Sequence, residues 1–396
     1  MRIQSIDIFR ADGGWRPFSF LRLRTDSGLV GWSEFAESAW APGLADAIIA
    51  LGGQVLGSDP RAWAKLSADL HALTQFTAGG VSHQAVAAIE NACLDLAAKS
   101  LGVPVYQLFG GPLRRELDCY GSHWGSFRVR DAAFFKDVIG CAPVASLDDF
   151  RAIGHEAVQR GFCTVKTNPV GFSEEGRPVL LNPGFAPGLE HGRRLDARTL
   201  AGIVAQCRAL RDGLGADRGL MLDVNFSLHP GALRQLGRSL GDVGLTWLEA
   251  DLASPEALAA VRAAVPVPIA SLESLHGRRA YRPYFEAGAV DVAVIDVPWN
   301  GLGEALRIAA LAESHEVNVA PHNFYGPLAD LMSAHFCAVV PNLEIMETEA
   351  DDVPWKYALL TQAPDRGDGR FGLPQSPGWG ADPDEQALAR HPWPRA

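Results

Sequence analysis

The sequence predicts an α/β protein, a closed parallel (β/α)7β barrel carrying a smaller α+β domain at its N-terminus. Two observations carry this. From Leu117 onward, eight short apolar runs alternate with seven amphipathic helical patterns, whereas the stretch before it reads as antiparallel strands followed by helices. The chain of 396 residues also exceeds the usual span of one domain.

Each element has its own signal. Residues 18–24 and 28–35 flank Thr25-Asp26-Ser27, a hairpin-like turn. From Pro60 to Lys99 the apolar spacing becomes helical, and residues 86–97 form a small-residue run suited to close packing. Gly102-Val103-Pro104 and Gly110-Gly111-Pro112 stop it. Strands follow near 117–123, 163–168, 219–225, 245–249, 268–272, 291–296, 317–321 and 343–347, with helices near 147–160, 197–213, 231–240, 254–264, 277–287, 302–315 and 326–338. The expected division is a capping domain over 1–116, the barrel over 117–360, and a Gly/Pro-rich segment over 361–396 that packs back on the capping domain. The loop over 169–196 is too long for an ordinary strand-to-helix connection, which assigns it to the catalytic face.

Composition narrows the class. Hydrophobic residues at 47% and charged ones at 20% supply an ample core and argue against long disorder. A net charge of −11 without a Lys/Arg cluster disfavours nucleic acid and anionic membrane as partners. The N-terminus lacks the apolar block of a signal peptide, and no apolar run is long enough to span a bilayer, so a cytoplasmic protein is expected. The six cysteines show neither paired nor metal-type spacing and read as reduced, buried thiols.

Function concentrates at strand ends. Asp223, Glu249 and Glu273 each stand just past a short apolar run, in Leu220-Met221-Leu222-Asp223, Trp247-Leu248-Glu249 and Ile269-Ala270-Ser271-Leu272-Glu273. Parallel strands release their C-terminal ends on one face, so acids distant in sequence converge. Three carboxylates aimed at one spot repel unless a hard cation such as Mg²⁺ neutralises them. A single such acid would be read as a surface group or a helix cap; three in register are read as a metal site.

Two further elements lie on that rim. Lys166, in Lys166-Thr167-Asn168, puts a cation near an anionic substrate. His322, in Pro321-His322-Asn323, neighbours Asp296, and an Asp accepting one imidazole N–H fixes the tautomer and raises the basicity of the other nitrogen. Glu347, at the end of the last run, completes the ring.

In this order and on these strands, the residues resemble the enolase superfamily, and within it the mandelate racemase-like group, over nearly the whole chain. The resemblance implies a modified TIM barrel with Asp223, Glu249 and Glu273 as Mg²⁺ ligands. It implies a substrate carboxylate chelated by the metal, and proton abstraction next to that carboxylate to an enediolate that the metal and Lys166 stabilise. It also implies a homo-oligomer, from dimer to octamer.

One departure is informative. Many relatives carry a second lysine where this chain has Asn168, so a two-base racemase loses one of its bases. Members with Lys-x-Asn and an Asp/His dyad look like sugar-acid dehydratases such as the galactonate dehydratases. There His322 takes the C2 proton and a 2-keto-3-deoxy acid results. Those enzymes place a histidine acid two residues after the first metal ligand, where this chain has Asn225. The acid is then either His322 itself after protonation or His123; His123 also reads as a substrate hydrogen-bond donor or as a rim residue packing on Trp124. Trp299, Asn300, Asn323 and Tyr325 supply polar groups of the kind that read hydroxyls. Loops at 13–16 and 76–80 are expected to close over the barrel mouth. Arg177, Arg193 and Arg194 either hold a distal carboxylate or, more in keeping with their acidic neighbours, pair on the surface. The reading is thus a Mg²⁺-dependent dehydratase of an aldonate or aldarate. The alternatives are an epimerase, racemase or cycloisomerase of the same architecture, and a metal-binding barrel that holds a carboxylate without turnover.

Overall fold

The computed structural model describes residues 1–38, 40–173, 176–181, 195–367 and 369–393. Strands β1 (Ile3–Asp12), β2 (Pro17–Thr25) and β3 (Val30–Phe35) form an antiparallel sheet in that order. Helices α1 (Leu44–Gly52), α2 (Trp63–Leu73) and α3 (Gly80–Leu101) pack beside it. α3 is buried at every position over 84–98 because it lies between this sheet and the barrel. The facing strand permits that: a Cβ at Gly31 on β3 would sit 2.5 Å from the Ala92 carbonyl oxygen.

Polar and acidic side chains of this domain dock it on helix N-termini of the barrel, where backbone N–H groups lack partners. Glu34 accepts from the N–H groups of Gly326, Leu328 and Ala329 at the start of the helix Pro327–Val339. Glu90 and Asn91 accept from Gly303 and Leu302, both at 2.9 Å, at the start of Leu302–Glu313.

The barrel strands are β4 (Glu116–Ser122), β5 (Thr164–Thr167), a short hairpin β6 (Val170–Phe172) and β7 (Pro178–Leu180), then β8 (Gly219–Asp223), β9 (Trp247–Glu249), β10 (Ile269–Ser271), β11 (Val292–Asp296), β12 (Asn318–His322) and β13 (Met346–Glu349). All but β6 and β7 run parallel, in the order β12-β11-β10-β9-β8-β5-β4-β13. A bridge between Val319 and Leu343 brings β12 back to the β13 segment and closes the ring. The helices between strands start where the sequence places capping residues: Ser146, Asp196 and Ser254 accept from the N–H of the third residue beyond. Tyr120, Met221, Trp247, Ala270, Val294 and Ala320 fill the barrel interior. Two residues on from four of these, period-two alternation brings Asp223, Glu249, Asp296 and His322 to the C-terminal rim.

Two expectations are corrected. The last strand spans Met346–Glu349 rather than 343–347, because Leu343 and Glu344 are spent on closing the ring with Val319. Glu347 therefore lies inside its strand. Of the cysteines, Cys163 is exposed and Cys141 half-buried, while the other four are buried. In the C-terminal segment, β14 (Arg366–Gly367) and β15 (Arg370–Gly372) pair with each other and β15 with β4, Trp379 N–H donates to Asp95 at 2.9 Å, and Pro392 bridges Ala11.

Candidate active site

Asp223 and Glu249 stand directly opposite one another on β8 and β9. Glu273 follows two residues beyond β10, after Leu272, whose φ of 92° turns the chain at the rim. Asp251 accepts from the Ser271 hydroxyl at 2.6 Å and from the Leu272 N–H at 3.0 Å and so holds this turn. Lys166 on β5 is buried, with its ammonium 3.1 Å from Glu249 and 2.9 Å from Glu347. Burial opposes its charge, but these two carboxylates outweigh burial and keep the amine protonated well above its usual range. Glu347 shows the reciprocal effect: against burial, Lys166 pulls its carboxyl down to about 2.

β11 and β12 supply the predicted dyad. His322 Nδ1 lies 2.7 Å from Asp296 and its Nε2 3.6 Å from Glu273. Asp296 also accepts from the Tyr325 hydroxyl at 2.5 Å and the Trp299 N–H at 2.7 Å, so its position is fixed from three sides. Burial disfavours the imidazolium, yet Glu273 and Asp296 together push His322 up to about 10. A second dyad lies two strands away. His123, just past β4 at a φ of 57°, brings Nδ1 within 2.7 Å of the buried Glu349 on β13. Its ring stacks on Phe127 at 3.7 Å.

One cavity connects these groups. Its walls include His123, Lys166, Asn168, Asp223, Asn225, Glu273, Trp299, His322 and Glu347. Glu249 and Asp296 lie behind this lining, on Lys166 and His322. Asn168 accepts from Ser126 at 3.0 Å and leans on Asp223, and Asn225 donates to Asp223 at 3.1 Å. Asn323 does not line the cavity. It is fully buried, its N–H on Glu347 and its amide on Asp330, so it holds the last strand instead of reading a hydroxyl. Tyr325 and Asn300 likewise serve the dyad: Tyr325 through its hydroxyl on Asp296, and Asn300 by donating to the Asp296 carbonyl at 3.1 Å.

Of the expected closing loops, the one at 13–16 brings Trp15 into the lining, but no residue of 76–80 reaches it; Phe76 is 94% exposed. Trp40 takes that place. Arg177 is exposed and outside the lining, and Arg193 and Arg194 lie outside the described residues. Arg130, Phe127, Phe324, Trp40 and Glu349 escaped the sequence reading. Glu349 had a signal, since it follows Glu347 at the strand period. The others had none, because they sit in loops or in a five-residue helix too short to show a period.

Burial and mutual repulsion act on the acids together: burial, then Glu249, raises Asp223 to about 7, and burial with Asp251 and Asp223 raises Glu273 well above the carboxylate range despite His322. Among the described residues no three such side chains close on one point. Glu249 contacts Lys166 and Glu273 faces His322. Yet Glu249 Oε1 is buried with no hydrogen-bond partner, an orphaned anionic oxygen beside two further carboxylates. An all-oxygen donor set with one unsatisfied atom suits a hard divalent cation such as Mg²⁺.

A capped parallel barrel with acids, lysine and an imidazole dyad on its C-terminal rim defines a class of enzyme. Residues 10–110 match the family described as mandelate racemase / muconate lactonizing enzyme, N-terminal domain, and residues 149–387 match the enolase C-terminal domain-like family. The chain belongs to the enolase superfamily, in its mandelate racemase-like group, whose superfamily members use Mg²⁺. It is 28% identical to a D-galactarolactone cycloisomerase of Agrobacterium fabrum over 96% of this chain and 92% of that protein. It is 27% identical to a D-galactonate dehydratase of Verminephrobacter eiseniae, covering 88% and 81%. A Burkholderia xenovorans protein, described as a proposed L-alanine-DL-glutamate epimerase and solved with magnesium and fumarate, superposes with a TM-score of 0.94 at 41% identity, over 99% of this chain and 96% of that one.

Proposed function

We infer that this protein is a Mg²⁺-dependent dehydratase of a sugar acid, removing the C2 proton and the C3 hydroxyl to give a 2-keto-3-deoxy acid. The observation that carries the reading is the pair of imidazole–carboxylate dyads, His322–Asp296 and His123–Glu349, on one cavity with a buried Lys166. Elimination of water needs a base at C2 and an acid at C3, and two separately held imidazoles supply both.

Asp223, Glu249 and Glu273 would hold the ion. When bound, it polarises the substrate carboxylate as a Lewis acid, which brings the weakly acidic C2 proton within reach of an ordinary base. Lys166, kept as an ammonium by Glu249 and Glu347, stabilises the negative charge that develops on the carboxylate oxygens. Glu273 is the main group holding a proton on His322; with Glu273 given over to the ion, the neutral imidazole would take the C2 proton through Nε2 while Asp296 fixes the tautomer through Nδ1. His123, oriented by Glu349, delivers a proton to the departing C3 hydroxyl; C2=C3 forms as C2–H and C3–O break, and the enol product tautomerises to the keto acid. Relatives named as D-galactonate dehydratases, matched over 88% and 98% of this chain, support this reading.

The same two dyads favour a second reading. The sequence offered no second base in place of the missing lysine, but His123 with Glu349 supplies one, which fits epimerisation at C2; a neighbour is described as a proposed epimerase. One experiment separates them. Sugar mono- and diacids are incubated with enzyme and Mg²⁺, 2-keto acid is detected with semicarbazide, and C2 exchange from D₂O is followed by NMR, beside His322→Asn. Keto acid from one or two stereoisomers, lost by about 10²-fold or more in the variant, supports dehydration. Exchange or inverted C2 without keto acid sinks it in favour of epimerisation.

A further inference from the structure

Among the described cavity-lining residues, the cap-side wall differs in character from the reaction centre. Arg130 closes the short helix Ser126–Arg130, and its guanidinium carbon lies 3.6 Å from the Phe127 ring centre and 4.8 Å from that of Trp15. No described carboxylate forms an ion pair with it; Glu349, engaged by His123, and Asp131 act on it only through space. The neighbouring arginines are committed: Arg16 to Asp352 and the Tyr325 carbonyl, Arg128 to Glu156 and Asp351. Beside Arg130, the Trp15 indole N–H is buried and without a partner. Trp15 itself is pinned by stacking on Phe324, with planes 5° apart, and edge-on to Phe127.

Guanidinium and indole N–H are donors only. Arg130 is exposed where it lines the cavity, so its guanidinium meets water until a ligand arrives, while the buried indole N–H beside it has no acceptor at all; a ligand group that only accepts would serve both. A hydroxyl would satisfy one of them and leave the arginine's charge uncompensated; a carboxylate satisfies both and matches the planar fork. We propose that the substrate is a dicarboxylate, its second carboxylate bound by Arg130 and the Trp15 indole N–H while the first sits at Lys166 and the acids. The inference rests on the sugar-acid reading above for the chemistry at the first carboxylate and adds the chemical class, aldarate in place of aldonate.

Matched pairs differing only at the terminal carbon test this: galactarate against galactonate, and glucarate against gluconate. C2 exchange in D₂O and keto-acid formation are both recorded with Mg²⁺, for wild type, Arg130→Met and Arg130→Lys. Where no acid reacts, the dissociation constants of the same pairs are taken by calorimetry. Wild type should favour the diacid by about 10- to 100-fold in kcat/KM or affinity, and Arg130→Met, which keeps the stem on Phe127, should collapse that ratio towards one by raising KM. Lysine should restore it only in part. A monoacid preference in wild type, or a ratio unmoved by Arg130→Met, overturns the proposal. Diacid preference with exchange but no keto acid would retain the dicarboxylate and remove the dehydratase reading, so the two fail separately.

Discussion

His123 holds a φ of 57°, a left-handed conformation that costs a residue with a Cβ about 1 kcal/mol or more. Asn225 at 46° and Leu272 at 92° do the same, and all three lie at strand ends on the catalytic rim. Such backbone persists where its surroundings over-determine it; for His123 these are the 2.7 Å bond to Glu349 and the stack on Phe127. The role proposed for this side chain has a sharp consequence. His123→Asn should lower keto-acid formation by about 10² to 10⁴-fold, the worth of one general acid. C2 exchange in D₂O, which needs only His322, should stay within about 10-fold. Exchange lost along with dehydration would show that His123 acts before the leaving-group step.

At the scale of the element, one turn decides where the third acid goes. β10 ends at Ser271, and the chain reaches Glu273 only because Asp251, two residues beyond β9, binds Ser271 and the Leu272 N–H. Asp251→Ala removes both acceptors and frees the turn. Groups that orient ligands in this way are commonly worth 10- to 100-fold in metal affinity. The Mg²⁺ concentration for half-maximal activity, and the calorimetric Mg²⁺ dissociation constant, should rise by about that factor with the far-ultraviolet CD unchanged. An unaltered Mg²⁺ requirement would show that Glu273 finds its place without Asp251.

Across the whole molecule, His335 joins three parts of the chain. From the helix Pro327–Val339, its Nδ1 accepts from the Tyr106 N–H at 3.1 Å and its Nε2 donates to the Trp379 carbonyl at 3.1 Å. Burial lowers its pKa to about 4 from an ordinary 6.5. A depressed folded-state value means that protonation favours the unfolded chain. The stability tied to neutral His335 is complete above pH 6.5 and lost as pH falls through 4, about 3 kcal/mol in all. In urea denaturation at pH 7.5, 5.5 and 4.5, His335→Gln should be less stable than wild type at pH 7.5, and the gap should narrow towards pH 4.5. A gap constant with pH would place the contribution in packing alone. Among the described residues no helix is long and apolar enough to cross a membrane.

Much of this was legible in the sequence because it is local. Period-two alternation along each short run decides which side of a strand a residue takes, so Asp223, Glu249, Asp296, Lys166 and His322 could be assigned to one rim from their strings alone. The helix starts were equally legible, since Ser146, Asp196 and Ser254 cap within three residues of themselves. Pairings across long separations were not. Glu349 meets His123 only because β13 closes the ring against β4, and Asn323 looks like a rim residue until that closure buries it against Glu347 and Asp330. Arg130 and Trp15 come from segments more than a hundred residues apart, and their contact follows from how the capping domain seats on the barrel. Sequence alone determined the barrel, the inward face of each strand and the chemistry gathered at its mouth. Only the tertiary structure decided which of those groups pair with each other and which remain free to meet a substrate, because that depends on distances between elements that local periodicity does not encode.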